Sequence, residues 1–588
     1  MSNPFGGKSN PSRRDALRQM TGVTGLVTLA GCQSSSRVRD NAAHDALFSW
    51  GVASGDPTRS AIVIWTRALP VDPGVTTLSV VYQVSMTPEF DTLLLEGVSL
   101  TTSSRDFTVK HDVAGLQPGT VYYYRFLAGS VVSATGRMKT LPIDDSRPVS
   151  LALASCANYP SGYFNVYREI SQIADLDAVI HVGDYIYEHA AGEYDGAVGK
   201  RLGRNHVPAH EIVTLADYRQ RLAQYREDPD LQAAHAHATF ITVWDDHETA
   251  NNSWKDGSSG QDRAVGDAWH NRRNAALQAY FEWLPMRDPV TGAARERLNR
   301  VYDFGSIASL IVIETRLTGR DQQISYERDM PMRDGAPDLE TFERDVLNKP
   351  ERTMMGAAQE AWFAEVLHAS RQRGVQWQVI GNQTVMARMR TPDFMSILQP
   401  EVVDAVLANG GYASKWLQRS SWGMPAGLDA WDGYAAARER LYNDAQAADA
   451  NMIVLSGDSH MFWANELHHP KTDKLVGLEL ATGSVTSPGG YGYIGNTPDF
   501  FDMVERAIIA KNEDVCYANV RDHGFIHLTL SKDAMNGRYM RVSTIMQKAY
   551  HCDCFLQIEA TPGSGWTQVP IASDETPGDP RETAAREA

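Results

Sequence analysis

The chain has 588 residues, of which 43% are hydrophobic and 22% charged, an ordinary composition for a globular protein. At this length it exceeds a single hydrophobic core, so we expect at least two domains. Its formal net charge of −17 argues against nucleic acid as a stable partner, because such binding depends on Lys and Arg neutralising phosphates.

The N-terminus has the pattern of a targeting segment. Arg13 and Arg14 precede a modestly apolar stretch from Met20 to Ala30, which runs into Leu29-Ala30-Gly31-Cys32. This arrangement resembles a twin-arginine export signal that ends in a lipobox, with Cys32 as the residue that is acylated. Beyond it, no apolar run reaches the roughly 18 residues of a transmembrane helix.

We therefore expect residues 1–32 to be a signal peptide and residues 33–44 a flexible tether. The protein would be exported by the twin-arginine machinery and would be a periplasmic or cell-surface lipoprotein, held at the membrane by a lipid anchor on Cys32. The alternative is a disordered basic leader on a cytoplasmic protein.

Residues 45–145 have the pattern of an all-β domain. Short alternating runs occur at Ala61 to Trp65, Leu78 to Val84 and Tyr122 to Leu127, with turn residues between them. The segment from Leu116 to Arg125 resembles the corner of fibronectin type III and immunoglobulin-like sandwiches, where a tyrosine hydroxyl fixes the turn. We expect an N-terminal β-sandwich over this range.

Residues 146–558 alternate short apolar runs with segments of helical periodicity, which predicts an α/β domain. One strand is predicted from Ile307 to Ile313. Residues 559–588 are rich in Pro, Gly and acidic residues, which predicts a disordered tail. The predicted helices are Phe164 to Ala174, Leu215 to Ala236, Ala264 to Phe281, Gln359 to Arg373 and Tyr434 to Ala448.

Five buried-strand patterns in this domain end in side chains that can bind metals. Continuous apolar runs closed by Gly or Asp are typical of strands buried on both faces, and ligands at the carboxyl ends of such strands converge on one edge of a sheet. The residues that follow the five runs are Cys156, then Asp184 and Tyr187, then Asp246 and His247, then Asn382, and finally Asp458 and His460.

These residue types fit a site for two cations. Two neighbouring cations need a carboxylate that bridges them, and Asp184 in a Gly-Asp turn could reach both. Tyr187 could return to the same site, and a phenolate or thiolate ligand favours a trivalent or softer transition metal. Asp458 and His460, two residues apart, could serve different metals. His247 suits an acid that protonates a leaving group.

The motifs around these residues resemble those of the PhoD-like alkaline phosphatase D family. This family lies within the metallophosphoesterase superfamily, which also includes purple acid phosphatases. The resemblance covers roughly residues 45–550, and five motifs in the right order between Cys156 and His460 make it specific. The segments Phe48 to Pro57 and Ala481 to Pro488 also resemble family segments. The variants that resemble this family most are Ala154-Ser155-Cys156, Gly183-Asp184-Tyr185-Ile186-Tyr187-Glu188, Trp244-Asp245-Asp246-His247-Glu248 and Ser456-Gly457-Asp458-Ser459-His460.

The resemblance implies a four-layer αββα metallophosphoesterase fold and two metals. It implies a ferric ion (Fe3+) held by Cys156, Asp184, Tyr187 and His460. It also implies calcium (Ca2+), or another divalent metal, held by Asp184, Asp246 and Asp458. Asp246 and Asp458 stand where the wider superfamily has Asn and His, and these carboxylates favour a hard cation.

The expected function is metal-dependent hydrolysis of phosphate esters, as an alkaline phosphatase or phosphodiesterase. A metal-bound hydroxide would attack phosphorus, while His247, next to Asp246, would protonate the departing group. The rival is a non-catalytic surface lipoprotein that binds phosphate-bearing ligands through the same fold. A complete ligand set argues against the rival, because a protein without catalysis has no reason to keep the acid as well.

Some of these residues also have a plain structural interpretation. The Asp-Asp-His-Glu segment could be the N-cap of a helix, and Cys156 could be a small buried hydrophobe. Arg316 could contact the substrate phosphate through its guanidinium fork or form a strand-end salt bridge. Asn382 is the nearest candidate for a further ligand or substrate contact.

The remaining candidates are assigned structural or supporting roles. Tyr185 and His181 are expected to be structural. We expect Glu248, Asn251 and Asn252 to surround the ligands, and His235 and His237 to lie on a helix surface. Three other cysteines would allow one disulfide and a spare thiol, or none. They are Cys516, Cys552 and Cys554.

Overall fold

The largest sheet joins strands from the beginning, middle and end of the chain. The structure is a computed structural model that describes residues 45–259, 265–495 and 497–571. The ten strands, in spatial order, are β26 (Thr567–Gln568), β25 (Cys552–Ala560), β24 (Met535–Val542), β23 (His523–Leu530), β11 (Val149–Ala154), β12 (Ala178–His181), β13 (Thr239–Thr242), β2 (Val52–Gly55), β3 (Ala61–Arg67) and β7 (Thr108–Ala114).

A second sheet of seven strands is formed within the central region. Four neighbouring strands of this sheet are parallel, and the loops after them contribute residues to the site described below. In spatial order its strands are β14 (Arg300–Phe304), β15 (Ala308–Val312), β18 (Trp377–Gly381), β19 (Met452–Ser456), β21 (Leu475–Ala481), β20 (Phe462–His468) and β22 (Val515–Asn519).

The remaining strands form one five-stranded sheet and two short ribbons. The five-stranded sheet contains β10 (Gly136–Lys139), β8 (Val121–Ala128), β5 (Thr77–Ser85) and β6 (Leu93–Thr102), with β9 (Val131–Val132) paired to β8. The ribbons pair β1 (Ala46–Leu47) with β4 (Leu69–Pro70), and β16 (Met332–Arg333) with β17 (Ala336–Pro337).

Thirteen α-helices lie within the described ranges, and short 3₁₀ and π turns connect some of them. They are α1 (Asn165–Ile170), α2 (Gly196–Leu202), α3 (Leu215–Arg226), α4 (Pro229–His237), α5 (Gly266–Trp283), α6 (Tyr326–Asp329), α7 (Leu339–Thr341), α8 (Ala357–Gln372), α9 (Phe394–Ile397), α10 (Pro400–Asn409), α11 (Gly411–Ser420), α12 (Ala435–Ala447) and α13 (Pro498–Lys511).

The predicted helix from Leu215 to Ala236 is two helices because of its capping residues. α3 begins with a capping box in which the Thr214 hydroxyl accepts from the Asp217 backbone N–H, while the Asp217 carboxylate accepts from the Thr214 N–H. α4 begins at Asp228, whose carboxylate accepts from two backbone N–H groups, with Pro229 in the first turn. Proline lacks the N–H that a continuous helix would need there.

Alternate residues of the second sheet face two different hydrophobic clusters. Ile453 and Leu455 of β19 pack in one cluster with the residues of β11, β12 and β13. Met452 and Val454, the residues between them, pack in another cluster with helix residues such as Leu441. Because side chains alternate along a strand, one face of this sheet packs with the strands of the ten-stranded sheet and the other is covered by helices.

The N-terminal β region shares its core between two sheets. Ile62 and Ile64 of β3 pack with Val80 of β5 and Phe126 of β8. The Tyr122 hydroxyl accepts from the Gln117 backbone N–H at 2.7 Å, as the corner resemblance predicts. Yet β2, β3 and β7 belong to the ten-stranded sheet, in which β2 pairs in parallel with β13. Residues 45–571 form part of one compact unit rather than separating at residue 145.

The predicted disordered tail is wrong for its first residues. β25 runs to Ala560, and Thr567 and Gln568 pair with it as an edge strand. The signal peptide, the tether and Cys32 lie outside the described residues. The four described cysteines are free thiols, so there is no disulfide among them. No helix in the described ranges has the length and apolar character to cross a membrane.

Candidate metal centre

The predicted ligands lie where the parallel strands of the two large sheets end. β11, β12 and β13 are parallel neighbours in one sheet. β15, β18, β19 and β21 are parallel neighbours in the other. Parallel neighbours end on the same edge, so each sheet presents its loops as one group. The loops of the two sheets meet, because the Tyr187 side chain after β12 contacts the His460 side chain after β19.

The first cluster contains a thiol, a carboxylate and an imidazole. One donor atom each from Cys156, Asp184 and His460 lies within 4.8 Å of the others. The Tyr187 hydroxyl joins two of them: it donates to Asp184 Oδ2 at 2.9 Å and lies 3.1 Å from His460 Nε2. All four residues predicted for the first metal are therefore together.

Neighbouring groups orient the ligands of this cluster. His460 Nδ1 donates to the Pro488 carbonyl at 2.9 Å, which leaves the Nε2 lone pair facing Asp184 and Tyr187. Burial lowers the pKa of His460 to about 4, so the imidazole is neutral near pH 7, as a ligand must be. The Ser487 hydroxyl donates to the Tyr187 oxygen at 2.7 Å and so fixes the phenol ring.

A second cluster consists of carboxylates. Donor atoms of Asp245, Asp246 and Asp458 lie within 4.8 Å of one another, as do those of Asp184, Asp246 and His247. Asp246 thus belongs to two groups and connects them. The Asn252 backbone N–H donates to Asp246 Oδ2 at 2.6 Å and orients that carboxylate.

Four predicted ligands have a backbone conformation that side chains rarely adopt. The φ angles of Cys156, Asp184, Asp458 and His460 are 62°, 56°, 59° and 60°. The left-handed region costs a residue with a Cβ about 1 kcal/mol or more. The neighbouring Gly183 allows the two strand ends to approach, since a Cβ there would collide with Asp245. Such strain concentrated at one edge of the sheets marks a functional site.

Burial and mutual repulsion raise the pKa of two acids of this site. Burial, together with Asp246 and Asp245, raises the pKa of Asp184 well above its usual range despite the nearby His247. Desolvation and the carboxylates of Asp429 and Asp246 raise the pKa of Asp458 to about 6, against the opposing charge of Arg316. Cations among these groups would stabilise their charged forms. The mixed sulfur, nitrogen and oxygen donors of the first cluster and the oxygens of the second fit two metal ions of different hardness.

His247 lies beside the metal ligands and is held from its other side. Its Nδ1 is 2.6 Å from Glu188 Oε2, and its backbone N–H donates to Asp246 Oδ1 at 3.0 Å. Burial opposes a charge on His247, but the carboxylates of Asp246, Glu188 and Asp184 outweigh it and raise its pKa well above its usual value. The ring lines an open cavity of about 530 Å³ with Asp184, Asp246, Asp458 and His460.

Arg316 does not face this cavity. Its side chain is fully buried, and its guanidinium donates to Asp245 Oδ1 and Oδ2 at 2.5 and 3.0 Å and to Asp429 Oδ2 at 2.6 Å. The strand-end salt bridge is therefore the interaction that forms, and the substrate contact predicted for Arg316 is wrong. Arg316 instead lies beneath the second cluster, with Nη2 at 3.6 Å from Asp458.

The prediction of a substrate contact for Asn382 is wrong for a similar reason. Its Nδ2 donates to the Thr384 carbonyl and to Ser456 Oγ, and its Oδ1 accepts from the Trp431 indole at 3.0 Å. The side chain is fully buried. Its hydrogen bonds fasten the loop after β18 to β19, so it supports the site from behind.

The supporting roles predicted around the site are mostly confirmed. The Glu248 carboxylate accepts from the backbone N–H groups of Tyr185 and Asp245 at 2.6 and 2.8 Å. Tyr185 is buried and its hydroxyl lies 2.8 Å from His235 Nε2. His235 is itself fully buried, so its predicted place on a helix surface is wrong. The Asp-Asp-His-Glu segment forms a turn and not the N-cap of a helix.

Besides Asp245 of the carboxylate cluster, two functional residues were not singled out from the sequence. Glu188 orients His247, and Ser487 orients Tyr187. Both lie inside the quoted motifs, Glu188 four residues after Asp184 and Ser487 just before Pro488. Spacing within a motif shows which residues are close in sequence, and it does not show that a serine after β21 reaches a tyrosine after β12.

Comparison with known proteins agrees with this geometry. The family model described as "PhoD-like phosphatase" matches residues 151–539, which hold all the clustered ligands. The chain belongs to the PhoD-like phosphatase family. Membership makes it a phosphoric ester hydrolase. The family's N-terminal domain model matches residues 31–142.

Two relatives of this family extend over most of the chain. Alkaline phosphatase D of Bacillus subtilis (strain 168) is 34% identical over 456 residues, which are 75% of this chain and 70% of that protein. A solved structure described as "Structure of PhoD" superposes with a TM-score of 0.73 at 30% identity, over 90% of this chain and 93% of that chain. The sequence resemblance to the family is thus confirmed.

The clusters make Asp184 the ligand whose loss should matter most. Asp184→Ala removes a carboxylate that groups with Cys156 and His460 on one side and with Asp246 and His247 on the other, so the purified variant should contain less metal than the parent protein in elemental analysis. Asp175→Ala, which removes an exposed carboxylate, is the matched control and should keep the full metal content. Equal metal content in the two variants would contradict the assignment of Asp184 as a shared ligand.

Proposed function

We propose that this protein is a metal-dependent alkaline phosphatase or phosphodiesterase whose site is the joined edge of its two large sheets. The observation that carries the proposal is the meeting of Cys156, Asp184 and His460 with the Asp246 and Asp458 carboxylates in one place. This donor set suits metal ions. Bound metal ions would in turn attract a phosphate group, which so many acids would otherwise repel.

The proposal assigns ferric iron to the first cluster and calcium to the second. Cys156, Tyr187 and His460, with Asp184, offer soft and phenolic donors that suit a trivalent transition metal. Asp184, Asp246 and Asp458 offer hard oxygens that suit calcium. When bound, the two cations would supply a nucleophilic hydroxide and neutralise the phosphoryl oxygens.

His247 is the proposed general acid. Glu188 holds Nδ1, which leaves Nε2 toward the open cavity, and the surrounding carboxylates keep the imidazole protonated near neutral pH. A proton on Nε2 can then pass to the oxygen of the departing alcohol. Asp246 assists by fixing the His247 backbone through its N–H.

The fold and cellular location are proposed on separate grounds. Packing of the second sheet between the ten-stranded sheet and helices supports the αββα layering, with a β-sandwich before it. Arg13, Arg14 and Cys32 support export by the twin-arginine machinery and a lipid anchor at the periplasmic or cell-surface side of the membrane. The non-catalytic lipoprotein is not favoured, because His247 and Glu188 are arranged for proton transfer as well as binding.

The first test concerns the acid. His247→Ala should lower turnover about 10²- to 10⁴-fold on an alkyl ester, since the alkoxide then leaves without a proton. The loss should be smaller on p-nitrophenyl phosphate, whose leaving group needs little protonation. His210→Ala, at a histidine whose side chain is 66% exposed, should leave both rates unchanged. Equal losses of His247→Ala on the two esters would refute the acid role.

The second test concerns the identity of the first metal. A ferric ion bound by Cys156 and Tyr187 should colour the purified protein through charge transfer from sulfur and phenolate. Cys156→Ser should shift or weaken that visible absorption band, whereas Cys516→Ser, at an exposed thiol, should not. A colourless and fully active protein that contains zinc or magnesium alone would count against iron.

The third test concerns export. Arg13→Lys with Arg14→Lys should leave precursor in the cytoplasm, since the export receptor recognises the paired guanidinium groups. Cys32→Ala should still be exported but should appear in the soluble fraction after cell disruption. If Cys32→Ala remains in the membrane fraction, the lipid anchor is not on this residue.

A further inference from the structure

A second cavity opens on the other side of Asp458. It has a volume of about 250 Å³, and Asp458 lines both it and the larger cavity beside His247. The Asp458 side chain is 28% exposed. Both cavities therefore lie next to a residue of the carboxylate cluster.

The wall of the second cavity is largely apolar. It is formed by the chain after β18, by α11, by the residues after His460 and by the 3₁₀ turn Gly490–Tyr493. Its larger apolar side chains include Met389, Trp416, Met461, Trp463, Tyr491 and Ile494. Trp416 is held by ring contacts with Phe394 and Tyr491, with centroids 5.2 and 5.6 Å away.

Apart from Asp458, the charged side chains of this wall are engaged within the protein. Arg390 donates to the Gly423 carbonyl at 3.0 Å and to Glu343. Asp429 accepts from Arg316 and Arg320 at 2.6 and 2.7 Å. Asp432 accepts from Arg438 at 2.7 Å and from the Met389 backbone N–H at 2.8 Å. The Trp463 indole donates to Ser459 Oγ at 2.9 Å. What the cavity offers an occupant is therefore mainly hydrophobic contact.

Protein interiors are normally packed to the density of organic crystals, so an apolar space next to a reaction site is a candidate subsite. An engineered apolar cavity of about 150 Å³ is enough to bind benzene. The cavity beside Asp458 is larger and could take an aromatic ring or one short alkyl chain.

We infer that this cavity binds an apolar organic group of the phosphate ester, so that the substrate class is alkyl or aryl phosphates with one compact hydrophobic substituent. The inference rests on the proposed function, since it places the phosphate at the metal ligands next to Asp458. The hydrophobic effect then favours the longer substituent until the cavity is full.

The test is a chain-length series. The metal-loaded protein is assayed with monoalkyl and dialkyl phosphates that carry methyl, butyl or octyl groups, below the concentrations at which they form micelles. The value of kcat/KM should rise about three- to fourfold for each added methylene group and then level off. The increase in kcat/KM should come mainly from a lower KM, because the cavity binds a part of the substrate away from the reacting atoms.

Two variants locate the effect in the cavity. Trp416→Ala, which removes an aromatic wall, should flatten the dependence on chain length, and Ala413→Phe, which fills space from α11, should make it level off at a shorter chain. Trp422→Ala is the matched control: this tryptophan lies in the same segment but packs against Tyr326 outside the cavity, and the dependence should persist.

The outcomes separate the inference from the function on which it rests. If neither ester series is hydrolysed, the proposed function fails and the inference fails with it. If the esters are hydrolysed with equal kcat/KM for all chain lengths, the function stands and the apolar subsite is refuted. A dependence that Trp416→Ala and Ala413→Phe leave unchanged would also refute it.

Discussion

The concentration of buried carboxylates at the joint of the two sheets is the constraint on which this structure depends. Asp184, Asp245 and Asp246 are almost fully buried, and Asp458 lies directly beside them. Removing an ionised carboxylate from water costs several kcal/mol even after relaxation, so acids in such numbers need compensating charge. Arg316 provides part of it through Asp245 and Asp429, and His247 provides another part.

The rest of the site can be understood as the way the fold holds these acids in place. Neighbouring parallel strands bring the loops together, and left-handed residues such as Asp184 and Asp458 turn the chain sharply where each strand ends. A hydrogen bond from Ser487 fixes the phenol, and the Pro488 carbonyl and the Glu188 carboxylate accept hydrogen bonds that fix the two imidazoles. The polar cavity beside His247 and the apolar cavity beside Trp416 flank the same carboxylate, which gives a phosphate ester distinct places for its charged and hydrophobic parts.

Much of this arrangement could be predicted from the sequence, since strand ends and helix periodicity are local patterns. The predicted strand from Ile307 to Ile313 is β15, the helix predicted from Gln359 to Arg373 is α8, and Tyr122 forms the expected corner. The residues of the first cluster, and Asp246 and Asp458 of the second, could be singled out because their motifs lie directly after apolar runs, whereas Asp245 was not. The predictions that failed depended on contacts between distant segments. Arg316 pairs with an aspartate 71 positions earlier, and the edge strand at Thr567 depends on pairing that local composition does not indicate. The pairing of β2 with β13 in the ten-stranded sheet is non-local in the same way.

We propose that two metals of different kinds occupy the two clusters. The most direct measurement is a crystal structure of the purified protein with anomalous difference maps collected above and below the iron absorption edge. We expect a peak among Cys156, Asp184, Tyr187 and His460 that appears only above the edge. We also expect a second peak beside Asp246 and Asp458 that is insensitive to that edge. Iron at the carboxylate cluster, or no metal beside Cys156 in fully active protein, would contradict the proposal.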